Sequence, residues 1–168
     1  MTEPTASPAP LAPPASRAEQ HPPLPPDRLA VWSRFGSWDK RYFPNVVGLE
    51  LDEVRTDYAR MRLPFRDELL QRVGAIHGGV IATMIDTVVV PAIGGAYERM
   101  PMMLTIDMQV RYLGAARKVD LVVEGWVVKR GRSIVFCQSE VRSEPGGDLI
   151  AEGWTTYRVV PPETETPS

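Results

Sequence analysis

The residues of this chain best placed to do chemistry lie in the stretch Gln71-Arg72-Val73-Gly74-Ala75-Ile76-His77-Gly78-Gly79-Val80-Ile81-Ala82-Thr83-Met84-Ile85-Asp86-Thr87. Glycines at the start of a helix let backbone N–H groups come close to a ligand, and the helix dipole makes that end attract negative charge. An aspartate inside an otherwise apolar helix is costly to bury unless it is paired or used. Gly78, Gly79 and Asp86 therefore point to a site that binds an oxyanion and supplies a carboxylate. Each also has a purely structural reading. The glycines permit a sharp turn and close helix–sheet packing, and the acid could be a buried group paired with an arginine or capped by Thr105.

A helix must hold these groups. The run from Gly78 to about Tyr97 is hydrophobic all round, which predicts a helix buried by its surroundings. Pro91 is expected to kink it or end its regular part, and Gly94-Gly95 offer a stop. Upstream, Asp27 can cap a short helix bearing Leu29, Val31, Trp32 and Phe35, closed by Gly36. Val46–Val54 and Tyr58–Pro64 then read as strands, and Phe65–Gln71 as a polar loop into the glycine turn. Downstream comes a meander of four strands without another helix: Met102–Leu113, Val119–Arg130, Ser133–Ser143 and Leu149–Val160. Turn chemistry separates the later ones at Arg130-Gly131-Arg132 and Glu144-Pro145-Gly146-Gly147-Asp148. Strict alternation along the first strand puts Leu104, Ile106, Met108, Val110 and Tyr112 on one face and Thr105, Asp107, Gln109 and Arg111 on the other. The order predicts an α+β fold, an antiparallel β-sheet wrapped around one long apolar central helix. A parallel sheet would need crossover helices that are missing.

Composition narrows the function classes. At 168 residues the chain suits one domain, and 19 Lys+Arg against 21 Asp+Glu give a net charge of −2, no electrostatic case for nucleic acid. The single cysteine, Cys137, excludes an internal disulfide and a cysteine-rich metal site, and its strand-like surroundings predict a buried, inert thiol. No basic head followed by an apolar core marks a secretory signal. Asp86 and Pro91 interrupt the apolar run Val80–Ala96 and argue against a membrane span, so a cytoplasmic protein without membrane partners is expected. Residues 1–26 hold nine of the 17 prolines and read as a disordered tail, His21 included. Residues 161–168 read as a second tail, leaving 27–160 as the folded domain.

His77 is then the only histidine of the domain. No nucleophile-elbow pattern surrounds a serine, and no second histidine or cysteine pair stands near it for a metal. A turn histidine bonded to backbone, or one that helps polarise a carbonyl, are the readings left.

The chain resembles the hot-dog fold, specifically the acyl-CoA thioesterases of the phenylacetyl-CoA thioesterase type, over roughly residues 46–160. The carriers are Gly74-Ala75-Ile76-His77-Gly78-Gly79, Asp86, Leu104-Thr105-Ile106-Asp107-Met108, Arg111-Tyr112-Leu113, the turn Lys129-Arg130-Gly131-Arg132, and Leu149-Ile150-Ala151-Glu152-Gly153. The resemblance implies hydrolysis of an acyl-CoA thioester to free acid and CoA, with no cofactor beyond the CoA of the substrate and no metal. It implies the Gly78 N–H as oxyanion donor and Asp86 as general base or nucleophile. Thr105 matches a position carrying a hydroxyl that orients water or the carboxylate. The family's pattern usually has asparagine six residues before the histidine; here Gln71 stands there, with the amide on a longer stem. Gly79, Arg117, Lys118, Arg130 and Arg132 are candidates for holding CoA, the basic ones through its phosphates. The Met100–Met103 loop and the apolar helix could line an acyl pocket.

A single sheet around one helix leaves an edge and an apolar flank exposed, so a homodimer or a dimer of dimers is expected. The resemblance further implies that Gln71, His77 and Gly78 of one chain face Asp86 of another. Two rivals remain. A hot-dog hydratase or dehydratase would need a histidine five residues after the acid, where Pro91 stands. A non-catalytic acyl-CoA-binding or regulatory hot-dog domain is the other, and the presence of both Asp86 and Gly78 argues against it.

Overall fold

The computed structural model describes residues 16–160. Residues 1–15 and 161–168, where the two tails were expected, lie outside the described residues. The order of elements is α1 (Pro26–Trp32), α2 (Phe43–Val47), β1 (Glu50–Arg55), β2 (Tyr58–Leu63), α3 (Gly78–Gly94), β3 (Met102–Tyr112), β4 (Asp120–Arg130), β5 (Ile134–Glu144) and β6 (Leu149–Val160). The six strands form one antiparallel sheet in the order β1-β2-β4-β5-β6-β3. Its inner face curves round α3, and the expected α+β architecture is the one observed.

Helix α3 is buried because its sequence leaves it no polar face: Ile81, Met84, Ile85, Val88, Val89, Ala92 and Ile93 are all at most 3% exposed. Its axis is about 25 Å long. Two strand glycines let it sit close to the sheet. A Cβ on Gly125 would lie 2.6 Å from Val88 Cγ1, and one on Gly153 would overlap Ile85 Cγ2 outright. Pro91 does not end the helix, which runs on to Gly94. Its ring removes the donor that the Thr87 carbonyl would otherwise have. Gly94-Gly95 provide the stop, and the Gly95 N–H bonds the Pro91 carbonyl at 2.9 Å.

Four expectations need correction. The run Val46–Val54 is not one strand. Pro44 opens the short helix α2, Gly48 closes it in the left-handed region at φ +89°, and β1 begins only at Glu50. The last four strands are not a simple meander either. Strands β4, β5 and β6 are, but β3 crosses to the far edge and pairs with β6. The connection from β3 back to β4 therefore passes the N-terminal end of α3, where Ala116 accepts a 2.8 Å bond from Ile76 N–H.

The third correction is a β-bulge between Thr105 and Asp107, which breaks the alternation along β3. Thr105 pairs with Tyr157, and beyond the extra residue Ile106 it is Met108, Val110 and Tyr112 that share the inner face with Thr105. The fourth concerns the N-terminal segment. Residues 16–26 are ordered against the sheet: Ala18 and Leu24 are buried, His21 stacks on Tyr58, and Arg17 lies 3.5 Å over the Trp126 ring while pairing with Glu140 at 3.2 Å. Cys137 is 1% exposed on the inner face of β5, and burial pushes its thiol up to about 12. It is the inert core cysteine that its surroundings predicted.

Candidate active site

The start of α3 is built from a tight turn. Gln71 N–H donates to Ala75 O at 2.8 Å, Gly74 N–H to Gln71 O at 2.9 Å, and His77 N–H to Leu69 O at 2.8 Å. Gly74 sits at φ +77°, a conformation that suits glycine. Arg117 Nη1 braces the turn through a 2.8 Å bond to Val73 O. His77 caps the helix: its Nδ1 accepts from Gly79 N–H at 2.9 Å, so any proton of the neutral ring sits on Nε2. This takes the Gly79 amide out of reach of a ligand. The Gly78 N–H has no acceptor among the described residues and points out at the positive end of the helix dipole. Tyr112 lies against Gly78 and donates its hydroxyl to the Gly78 carbonyl at 3.0 Å.

Two turns along the helix, Asp86 is half-buried and held from the sheet. Thr105 Oγ1 donates to Asp86 Oδ1 at 2.9 Å. The Tyr157 hydroxyl lies 2.6 Å from the same oxygen and 2.8 Å from the Asp86 carbonyl. Tyr157 is 2% exposed, and burial, followed by its bond to Asp86, holds its proton far more tightly than in a free tyrosine. No described donor reaches Asp86 Oδ2. Thr105 therefore belongs to the inner face with the acid, and not to the polar face that strict alternation assigned it.

Beside the carboxylate opens a cavity of ≈ 400 Å³, lined among others by Trp32, Phe35, Trp38, Thr87, Val90 and Met100. Asp86 is its one charged lining residue. Met100 and the helix face were expected there; the aromatic wall from α1 and the segment after it was not. The rings are fixed by edge-to-face contacts, Phe35 to Trp38 at 5.0 Å and Trp38 to Tyr42 at 5.5 Å.

The structure separates the other predicted residues. Gly78 and Asp86 are eight positions apart on one helix, about 12 Å along its axis, too far to act on one carbonyl carbon. Gln71 is exposed, and its amide has no described partner. Arg117 and Lys118 lie at the end of the sheet next to the glycine turn, whereas Arg130 and Arg132 lie at the opposite end of β4, about 33 Å away. Arg130 does not fit the phosphate-binding expectation. Its guanidinium bonds Asp57, the Ile93 carbonyl at 3.2 Å and the Tyr97 hydroxyl at 3.2 Å, closing the C-terminal end of α3. Arg132 is exposed in the β4–β5 turn. Among the described residues no group of three or more His, Cys, Asp or Glu could hold a metal ion, and no helix is long and apolar enough to cross a membrane.

Tyr157 is the residue that sequence reasoning missed. Arg158 and Trp154 point outward on β6, so alternation placed Tyr157 inside, where a buried hydroxyl needs a partner. Which partner it finds depends on the β3–β6 pairing.

An antiparallel sheet curved round one apolar helix, with a capped glycine turn at the helix start and a carboxylate within it, is the hot-dog architecture. The zebrafish thioesterase superfamily member 2 shares it at a TM-score of 0.69 and 25% identity, covering 79% of this chain and 96% of that one. The PaaI protein from the phenylacetic acid degradation operon of E. coli shares the fold at a TM-score of 0.69 and 12% identity, over 78% of this chain and 93% of that one. The human acyl-coenzyme A thioesterase 13 is 30% identical over 115 residues, 67% of this chain and 81% of its own length. The family model of the thioesterase superfamily matches residues 73–150, which include the glycine turn, Asp86 and Thr105. The chain belongs to the thioesterase superfamily.

Proposed function

We propose that this thioesterase hydrolyses an acyl-CoA thioester to the free acid and CoA, with Asp86 as the reacting carboxylate. The observation that carries the reading is Asp86 itself: one oxygen held by two hydroxyls, the other free, at the mouth of an apolar cavity. The cavity takes the acyl group. With Asp86 as its one charge it disfavours an acyl group carrying a second carboxylate, because no cation in the lining would offset the repulsion. Asp86 Oδ2 then either removes a proton from the attacking water or attacks the carbonyl, displacing CoA and forming an anhydride that water then cleaves to the free acid and the restored carboxylate. The Gly78 N–H binds the carbonyl oxygen as charge develops on it. CoA leaves as the thiol and belongs to the substrate, so no further cofactor enters.

The 12 Å between Gly78 and Asp86 within one chain supports a site shared between two copies. Edge strand β3 exposes Met102, Leu104, Ile106 and Met108, an uncovered edge with an apolar flank that a second copy would cover. In this reading the protein is a homodimer or a dimer of dimers. Gln71, His77 and Gly78 of one subunit close over Asp86 and Thr105 of the next, and Arg117 and Lys118 lie beside the turn to meet CoA phosphates. A cytoplasmic location is part of the same reading.

The test is a panel of acyl-CoA thioesters assayed for free-thiol release, with Asp86→Ala and Asp86→Asn beside the parent. Release by the parent and its loss in both variants is the expected result. If no thioester releases CoA above background, a non-catalytic acyl-CoA-binding role replaces hydrolysis. If Asp86→Asn keeps the full rate, Asp86 is not the reacting group. Single-turnover hydrolysis in H₂¹⁸O tests the anhydride route, in which water attacking the aspartyl carbon leaves label in the enzyme. Label enters the Asp86 carboxylate only if it is the nucleophile.

A further inference from the structure

Tyr157 stands on β6 directly opposite Thr105 in the β3–β6 register, and both reach Asp86 from the inner face of the sheet. A buried tyrosine needs one acceptor, and the Asp86 carbonyl at 2.8 Å would already serve. The hydroxyl nevertheless also lies within 2.6 Å of Oδ1. With the Thr105 hydroxyl on the same atom, Oδ1 receives two donors, which fixes the plane of a carboxylate that otherwise turns broadly about its terminal torsion. The bulge at Ile106 belongs to the same device. It sets the phase of β3 so that Thr105 and Tyr157 converge on one atom while Met108, Val110 and Tyr112 stay on the same face of the strand as Thr105.

We propose that Tyr157 is a positioning residue for catalysis: its hydroxyl, together with that of Thr105, pins Asp86 Oδ1 and so aims Oδ2 at the reacting water or carbonyl carbon. The inference rests on the reading of Asp86 as the reacting carboxylate. Tyr157 itself does not touch the substrate, being buried behind the acid. Because burial and the neighbouring carboxylate keep its proton in place, it acts as a standing donor and takes no part in proton transfer. Oδ2 carries no described donor, so it is the oxygen free to react.

Tyr157→Phe removes the hydroxyl and keeps the ring, so packing survives the test. The expected result is a kcat about tenfold below the parent with KM within about twofold, because the bond matters to the reacting geometry and not to acyl-CoA binding. The same substitution on an Asp86→Asn background is expected to cost nothing further, since the group it positions is gone. A parental kcat in Tyr157→Phe overturns the proposal. So does an equal loss on both backgrounds, which would mark Tyr157 as a packing residue. Where the Asp86→Asn rate is too low to compare, binding of a non-hydrolysable thioether analogue of acyl-CoA decides. Unchanged binding with lowered kcat supports positioning, and parallel loss of both overturns it. A parent that hydrolyses no thioester, or an Asp86→Asn variant with full rate, overturns the Asp86 reading and this inference with it. Both are visible before any Tyr157 variant is made.

Discussion

The smallest group in the proposed mechanism is one backbone N–H. His77 has φ −63° and ψ 135°, the extended conformation that a residue before proline prefers. Gly78 is the first helical position, where proline is well tolerated. Gly78→Pro therefore deletes the N–H while leaving the helix its start, at the cost of a small shift in the Tyr112 ring that lies 3.3 Å from the added Cβ. If that N–H binds the oxyanion, kcat falls about 10²- to 10³-fold while the circular dichroism spectrum is retained. A variant that keeps the parental rate would leave Gly78 with only its turn-forming role. At this scale Asp86 stood out only as an acid in an apolar run, its partners Thr105 and Tyr157 lying 19 and 71 positions away. The glycine start with its His77 cap was legible because those residues are neighbours both in sequence and in space. Arg130 was misread for the opposite reason. Its partner Asp57 is 73 positions away, and nothing local distinguishes a solvated turn arginine from one that closes a helix end.

Among the elements, α1 and the loop after it do most to shape the site, and they lie outside the matched segment 73–150. Trp38 is held edge-to-face between Phe35 and Tyr42, so it forms a fixed cavity wall rather than a mobile cover. Trp38→Ala is expected to open that wall and move the preferred acyl group towards bulkier or longer chains. The relative kcat/KM of long against short acyl-CoA should change about tenfold. An unchanged preference across the acyl series would place the acyl group elsewhere. The end signals of α3 were readable from its glycines, though not from Pro91, which lies inside the helix, and the existence of every later strand was readable too. The phase of β3 was not. A bulge needs no special residue type, and Leu104 to Met108 alternate convincingly until the partner strand shows that two residues face one.

For the whole molecule, the decisive question is whether the site is shared between copies. In a two-fold dimer each site would take Gly78 from one chain and Asp86 from the other. Mixing Asp86→Ala with Gly78→Pro, each nearly inactive alone, then rebuilds one complete site in every mixed dimer. With random exchange of subunits, half the dimers are mixed, and about a quarter of the parental activity should return. Mixtures no more active than the separate variants, with exchange verified by differently tagged chains, would show that each chain carries its whole site. On the proposed reading, the same separation of groups along α3 is the reason one chain alone would not close a catalytic centre.

The sequence by itself determined the periodicities and local chemistry of this protein: an apolar helix with a capped glycine start, one acid within it, strands of alternating polarity, and a cysteine destined for the core. These depend on residues within a few positions of one another. Tertiary structure alone decided that β3 lies beyond β6, that Thr105 faces inward, that Tyr157 meets Asp86 from 71 positions away, and that residues 16–26 order against the sheet. The physical reason is one of reach. Hydrophobic periodicity says which side of an element is buried, but only strand pairing and register say what that side is buried against.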